Sequence, residues 1–104
     1  MPRPTRGEVW MVDLGLAAKT RPCHLLTDWP PDNEIALVSV LAHTTTLRGI
    51  QWEHSIQKPF LKTGAFHLQQ IQSVPVSKLE RKLGELAPAE LATIEQLLRK
   101  RFRL

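Results

Sequence analysis

Residues 35–41 read Ile35-Ala36-Leu37-Val38-Ser39-Val40-Leu41, a nearly continuous apolar run that leads into His43-Thr44-Thr45-Thr46. The run is bounded by Asp28-Trp29-Pro30-Pro31-Asp32-Asn33 on one side and by Thr44-Thr45-Thr46-Leu47-Arg48-Gly49 on the other, both dense in turn formers. A short apolar run between two turns predicts a buried strand more readily than a helix. Upstream, Glu8-Val9-Trp10-Met11-Val12-Asp13 is rich in strand formers and predicts a first strand. Residues 14–20 read as a loop, and a second strand is expected over 21–27, where Pro22 is tolerated near the strand start. Downstream, Ile50 to Ile56 alternates, with Ile50, Trp52 and Ile56 inward. After the turn Lys62-Thr63-Gly64, Ala65 to Val74 predicts a further strand with Phe66, Leu68 and Gln70 on one face.

The last third changes period. Ser77-Lys78-Leu79-Glu80 matches a capping box and predicts one helical turn. Leu83-Gly84-Glu85-Leu86 is expected as a short final strand. Pro88 suits the first position of a helix, and Leu91, Ile94, Leu98 and Phe102 recur at helical spacing with Leu97 beside them, so a helix is expected over 88–102. Several short strands followed by one helix predict a mainly β (α+β) chain built on a small barrel.

The chain has 104 residues, a formal net charge of +4 and 42% apolar residues, which predicts one globular domain over 1–104. A chain of this size buries only ~60–65% of its unfolded surface, leaving no room for a large cofactor fold. One cysteine, Cys23, excludes an intrachain disulfide. No apolar run approaches the ~20 residues that cross a bilayer, and Met1-Pro2-Arg3-Pro4-Thr5-Arg6 lacks an apolar signal core. A cytoplasmic location is therefore expected, with no membrane contact. Residues 1–52 balance five cations against five acids, whereas residues 53–104 carry nine cations against five acids. Arg99, Lys100, Arg101 and Arg103 crowd the C-terminus, where a helix dipole favours cations and where phosphates would also be attracted.

Few residues are arranged for chemistry. The glycines are scattered, so no phosphate loop is formed. His24, His43, His54, His67 and Cys23 lack zinc-ligand spacing, and no metal site is expected. Cys23 and His24 are adjacent, and neighbours on a strand face opposite sides, so they cannot act as nucleophile and base. Cys23 reads as a small buried hydrophobe. Two segments remain. Lys19-Thr20-Arg21-Pro22 sets an arginine at the mouth of a strand, either as a phosphate clamp or as an exposed solubilising charge. His43-Thr44-Thr45-Thr46 sets hydroxyls at the end of a rigid strand, either as a positioned site or as an ordinary threonine-rich turn.

Arg6-Gly7-Glu8-Val9-Trp10, then Thr20-Arg21-Pro22, then an apolar strand ending in a threonine pair, resemble the MazF/PemK family of toxin endoribonucleases. Residues 77–91 are similar to that family's helix, its Leu-Gly-x-Leu strand and its final helix. The resemblance covers about residues 5–103, and the order and spacing of its short motifs carry it. It implies a small SH3-like β-barrel (CcdB/PemK-like) with a short helix and a C-terminal α-helix, assembled as a homodimer. It implies the toxin of a type II toxin-antitoxin system, cutting single-stranded RNA, often mRNA, at short sequences without metal or cofactor. The substrate's 2′-OH attacks the phosphate, leaving a 2′,3′-cyclic phosphate and a 5′-OH, and a cognate antitoxin blocks the dimer groove.

Carried onto this chain, the resemblance makes Arg21 and Thr44 catalytic. His43, which titrates near neutrality, stands behind them as an acid or base. Lys19, Thr20, Thr45, Arg48 and Gln70 are expected among the RNA contacts, with Trp29 as a stacking platform; Trp10 and Trp52 are expected in the core. The chain departs from the family where many members read Asp-Gln-Ile-Arg-Thr, since it has Gln69-Gln70-Ile71-Gln72-Ser73, and its loop before Arg21 is short. Two other readings fit the same barrel: a non-catalytic CcdB-like toxin and an SH3-like binding module.

Overall fold

The computed structural model describes residues 3–15 and 19–104. The strands are β1 (Glu8–Asp13), β2 (Thr20–Leu25), β3 (Leu37–Thr44), β4 (Glu53–His54), β5 (Ala65–Pro75) and β6 (Leu79–Glu85). A 3-10 turn, Val76–Lys78, joins β5 to β6, and α1 (Pro88–Phe102) ends the chain. All pairings are antiparallel, in the order β4-β5-β3-β2-β1-β6.

The sheet is strongly curled, for a reason of reach. Pro75 ends β5 and Leu79 opens β6, four residue steps that span at most about 14 Å. Four inter-strand gaps separate β5 from β6 in the sheet, about 19 Å if it were flat. The connection can be made only if the sheet bends around it. Val76 and Leu79 accordingly pack against the cluster of Val12, Cys23, Leu25, Val38, Val40, Ala42 and Val74.

The closed SH3-like barrel expected above does not form. β4 pairs only with β5, β6 pairs only with β1, and no ladder joins the two edges. β4 is just two residues long, and side chains fill the gap where a closing ladder would run. Phe60 lies so close to Gly84 on β6 that a Cβ there would meet its ring at 2.3 Å. Ile56 and Ile94, with Leu61, Leu91, Leu97 and Leu98 packed around them, join Val9, Leu41, Phe66 and Leu68 in the second cluster. Leu41 belongs to this cluster, whereas Val40 and Ala42 belong to the first, so β3 is buried on both faces. That explains why its sequence is continuously apolar.

Other expectations shift locally. β3 begins at Leu37 because a tight turn, Leu37 N–H to the Ile35 carbonyl at 2.7 Å, leaves Ile35 exposed. It runs on to Thr44, past the expected end. Only Glu53–His54 of the expected strand 50–56 pairs: the Glu53 carboxylate accepts the backbone N–H groups of Arg48, Gly49 and Ile50 and holds that approach as a turn, with Ile50 exposed. The Ser77–Glu80 capping box does not form. The 3-10 turn has no side-chain cap and Glu80 lies in β6, which is longer than expected. Gln70 is exposed rather than inward, because the β3–β5 register slips between Leu41 and His43. The C-terminal helix forms over the expected residues; Glu90 reaches back to the Ala87 N–H at 2.7 Å and Pro88 sits in its first turn.

The core contains two histidines that meet no partner. His24 and His43 both lie edge-on to Phe66, with ring centroids 6.1 and 5.1 Å away. Both His24 nitrogens and Nε2 of His43 are buried without a hydrogen bond. Burial, with the Arg6 charge, lowers the His24 pKa to about 4, and burial also lowers that of His43. An unfolded chain takes up these protons below about pH 6.5, so stability falls as pH drops from 6.5 towards 4. The His24 term alone is worth roughly 3 kcal/mol across that window. Denaturant titrations of wild type and His24→Leu at intervals from pH 7 to 4.5 read this directly. The variant is expected to lose much of the acid slope, and an unchanged slope would assign it elsewhere.

Candidate active site

The site forms where the β2–β3 ladder stops. Its last pairs are Leu25↔Val40, His24↔Leu41 and Cys23↔Ala42. The next residue of β2 is Pro22, which has no N–H to continue the pairing. Extending the register would set Arg21 opposite Thr44. Instead a cavity of about 400 Å³ opens at this point, lined by Thr20, Arg21, Pro22, His43, Thr44, Thr45 and Thr46, with Met11, Phe60, Lys62, Arg81 and Leu83 completing it. The Arg-Pro step therefore has a structural consequence: it separates two strand ends and leaves an arginine and a threonine on either side of the opening.

Arg21 is half-buried on β2 and held by its neighbours. It pairs with Val12 in the β1–β2 ladder, and its carbonyl accepts from the Cys23 thiol at 3.6 Å. Cys23 itself is fully buried and its pKa is pushed up to about 12 by burial, which makes it a packing residue as expected. Thr44 is almost buried. Its hydroxyl oxygen accepts the Thr46 N–H at 3.1 Å, and the hydroxyl proton has only a long contact, 3.4 Å, to the Thr46 carbonyl. The oxygen is thus fixed while its proton can turn to an incoming acceptor. Gly64 backs this position: a Cβ there would lie 2.2 Å from the Thr44 carbonyl oxygen and 2.9 Å from His43 Cε1. His43 is 3% exposed, and the lowered pKa keeps it neutral near pH 7.

The cavity brings together Thr20, Arg21, His43, Thr44 and Thr45 of the residues named from sequence. Lys19 adjoins it at a left-handed turn (φ 58°), its N–H bonded to the Gly15 carbonyl. Arg48 is outside the lining, on the exposed turn that Glu53 holds, and Gln70 is outside it on β5. Trp29 lies beyond the other end of β2, half-buried beneath the Arg3 guanidinium 5.6 Å from its ring centroid. Trp10 and Trp52 pack against the two core clusters, with Lys100 and Arg101 over the Trp52 ring.

Lys62 and Arg81 line the cavity and were not anticipated. Lys62 reads as part of a turn, and Arg81 reads as part of a helical segment. Only the β1–β6 pairing of Met11 with Arg81, a contact remote in sequence, brings Arg81 here. Three cations and four threonine hydroxyls converge in the cavity, and no carboxylate is among its lining residues. Such a site suits an anion with several oxygens. Among the described residues no three His, Cys, Asp or Glu side chains converge on one point, and no helix is long and apolar enough to cross a membrane.

A curled antiparallel sheet with a C-terminal helix and a cationic, hydroxyl-lined cavity at a broken ladder defines a phosphate-directed protein. Residues 5–102 match the family described as PemK-like, MazF-like toxin of type II toxin-antitoxin system. The chain is 30% identical over 94 residues to a probable endoribonuclease, MazF5, of Mycobacterium tuberculosis, covering 88% of this chain and 85% of that protein. It is similar to a solved mycobacterial endoribonuclease in complex with its cognate antitoxin, at 27% identity and a TM-score of 0.80, covering 97% of this chain and 96% of that one. It shares the fold of MazF from Deinococcus radiodurans at 18% identity and a TM-score of 0.80, with both chains covered completely. The chain belongs to the PemK-like, MazF-like family of type II toxins.

Proposed function

We propose that this protein is an RNA-cleaving toxin of a type II toxin-antitoxin system, acting in the cytoplasm as a homodimer on single-stranded RNA, and silenced by a cognate antitoxin. The observation that carries the reading is the pairing of Arg21 and Thr44 across the strand ends that Pro22 parts. Family membership and likeness to an endoribonuclease bound to its antitoxin support it.

The reaction needs no metal. The 2′-oxygen of the substrate attacks the adjacent phosphorus and the P–O5′ bond breaks. The products are a 2′,3′-cyclic phosphate, a 5′-OH and a proton transferred to the leaving oxygen. Negative charge on the non-bridging oxygens rises in the transition state. The Arg21 guanidinium offers a fixed fork of donors to those oxygens, and the Thr44 hydroxyl donates a further bond from an oxygen held by Thr46. His43 holds the end of β3 against Phe66, its Nε2 enclosed in the core. Thr20 and Thr45 line the same opening and contact the sugar-phosphate backbone.

Incubation of the protein with a long single-stranded RNA in EDTA, followed by mapping of cut sites and end chemistry, tests this reading. Discrete cuts leaving 5′-OH ends are expected at undiminished rate. Loss of cutting on chelation would sink the metal-free mechanism, and no cutting by folded protein would leave a toxin that binds without catalysis.

A further inference from the structure

Most cations near the sheet are neutralised. Arg6 pairs with Glu95, Lys58 with Glu90 at 2.7 Å, Lys78 with Asp13 at 3.7 Å, and Lys82 with both Glu8 and Glu85 at 3.2 and 2.7 Å. Lys62 and Arg81 differ: among the described residues neither makes an ion pair, and both line the cavity that holds Arg21. The contrast is sharpest on β6. Lys82 takes two acids, whereas its neighbour Arg81, which pairs with Met11 across the ladder, takes none. Gathering three like charges without a counter-ion is unfavourable and marks a place where an anion is to be bound. A single phosphate does not require all three.

The cavity also continues. A second depression of about 290 Å³, formed by residues 55–64, shares Lys62 with the first and is lined by Ser55, Gln57 and Leu61. Its other cation, Lys58, is occupied by Glu90. Lys62 therefore stands at the seam between the Arg21 cavity and a groove wide enough for a base, while Arg81 stands on the edge strand.

We propose that Lys62 and Arg81 are positioning residues that hold the two phosphates flanking the scissile one, so that the site grips three consecutive phosphates and the strand leaves past Lys62 along the 55–64 depression. This rests on the RNA-cleaving reading, since Arg21 addresses the central phosphate.

The test uses a synthetic RNA spanning a mapped cut, together with two analogues in which one or other flanking linkage is a neutral methylphosphonate. On the all-phosphate RNA, Lys62→Gln and Arg81→Gln are each expected to raise KM roughly tenfold with little change in kcat. Each should reduce the slope of log affinity against log salt by about 0.7. Arg81→Lys, which keeps the charge, restores most of the loss. Lys78→Gln, which removes a surface charge outside both depressions, leaves KM unchanged. The deciding result is a chemical double-mutant cycle. The Lys62→Gln penalty should vanish on one analogue and the Arg81→Gln penalty on the other. Penalties that persist on both analogues, or that fall on kcat alone, overturn the proposal while leaving the Arg21 assignment intact. A wild-type protein that neither binds nor cuts single-stranded RNA overturns both.

Discussion

Arg21→Ala is expected to cut RNA about 10²–10³-fold more slowly than wild type, the loss typical when one fixed donor to a transition-state oxyanion is removed. The protein should still fold. Arg21 is half-buried at a strand end, and its backbone pairing with Val12 survives the truncation. A loss of at most ~1 kcal/mol in unfolding free energy is expected. Arg21→Lys separates charge from geometry: an ammonium keeps the attraction for phosphate but not the two-pronged fork, so binding should recover more than kcat. Single-turnover cleavage on a mapped RNA, with a denaturant curve for each variant, makes the comparison. An Arg21→Ala protein within about twofold of the wild-type rate would remove Arg21 from the chemistry.

The site was legible in the sequence where its residues are neighbours along the chain. Thr20-Arg21-Pro22 and His43-Thr44-Thr45 stood out as short segments at predicted strand ends, and each does border the cavity. The strands β1 and β5 and the helix α1 were legible for the same reason, since their pattern is local. What was hidden depends on register. Arg81 reaches the cavity only through its pairing opposite Met11, and no local signal distinguishes it from Lys82. The open sheet was hidden too: short strands predict curvature, but whether edges pair depends on Phe60 occupying the space beside Gly84, a contact between segments 24 positions apart. Trp29 illustrates the opposite error. An aromatic in a proline-rich loop suits base stacking, yet the loop lies beyond the far end of β2 and the ring is already covered by Arg3.

Gly64 tests how tightly the catalytic threonine is placed. It precedes β5 and its φ is not positive, so an alanine meets no backbone strain; the obstacle is steric. The new Cβ would stand 2.2 Å from the Thr44 carbonyl oxygen and 3.0 Å from its carbonyl carbon, and both belong to a backbone paired through Thr44↔Ala65. Something must move by about an ångström, and the atoms in the way are those that carry the Thr44 hydroxyl. Overpacking of this kind costs typically ~1–3 kcal/mol, and a displacement of that size at a reacting group can cost ~10²-fold in rate. Gly84→Ala supplies the comparison. Its Cβ would also clash, at 2.3 Å, but with the ring of Phe60, a side chain that can turn aside. Gly64→Ala is therefore expected to be the more destabilised of the two and to lose cleavage well beyond its loss of stability, when both are assayed at a temperature where each is fully folded. Equal rates in the two variants would mean that Thr44 can shift without consequence, and a hydroxyl with that freedom is not donating to the transition state.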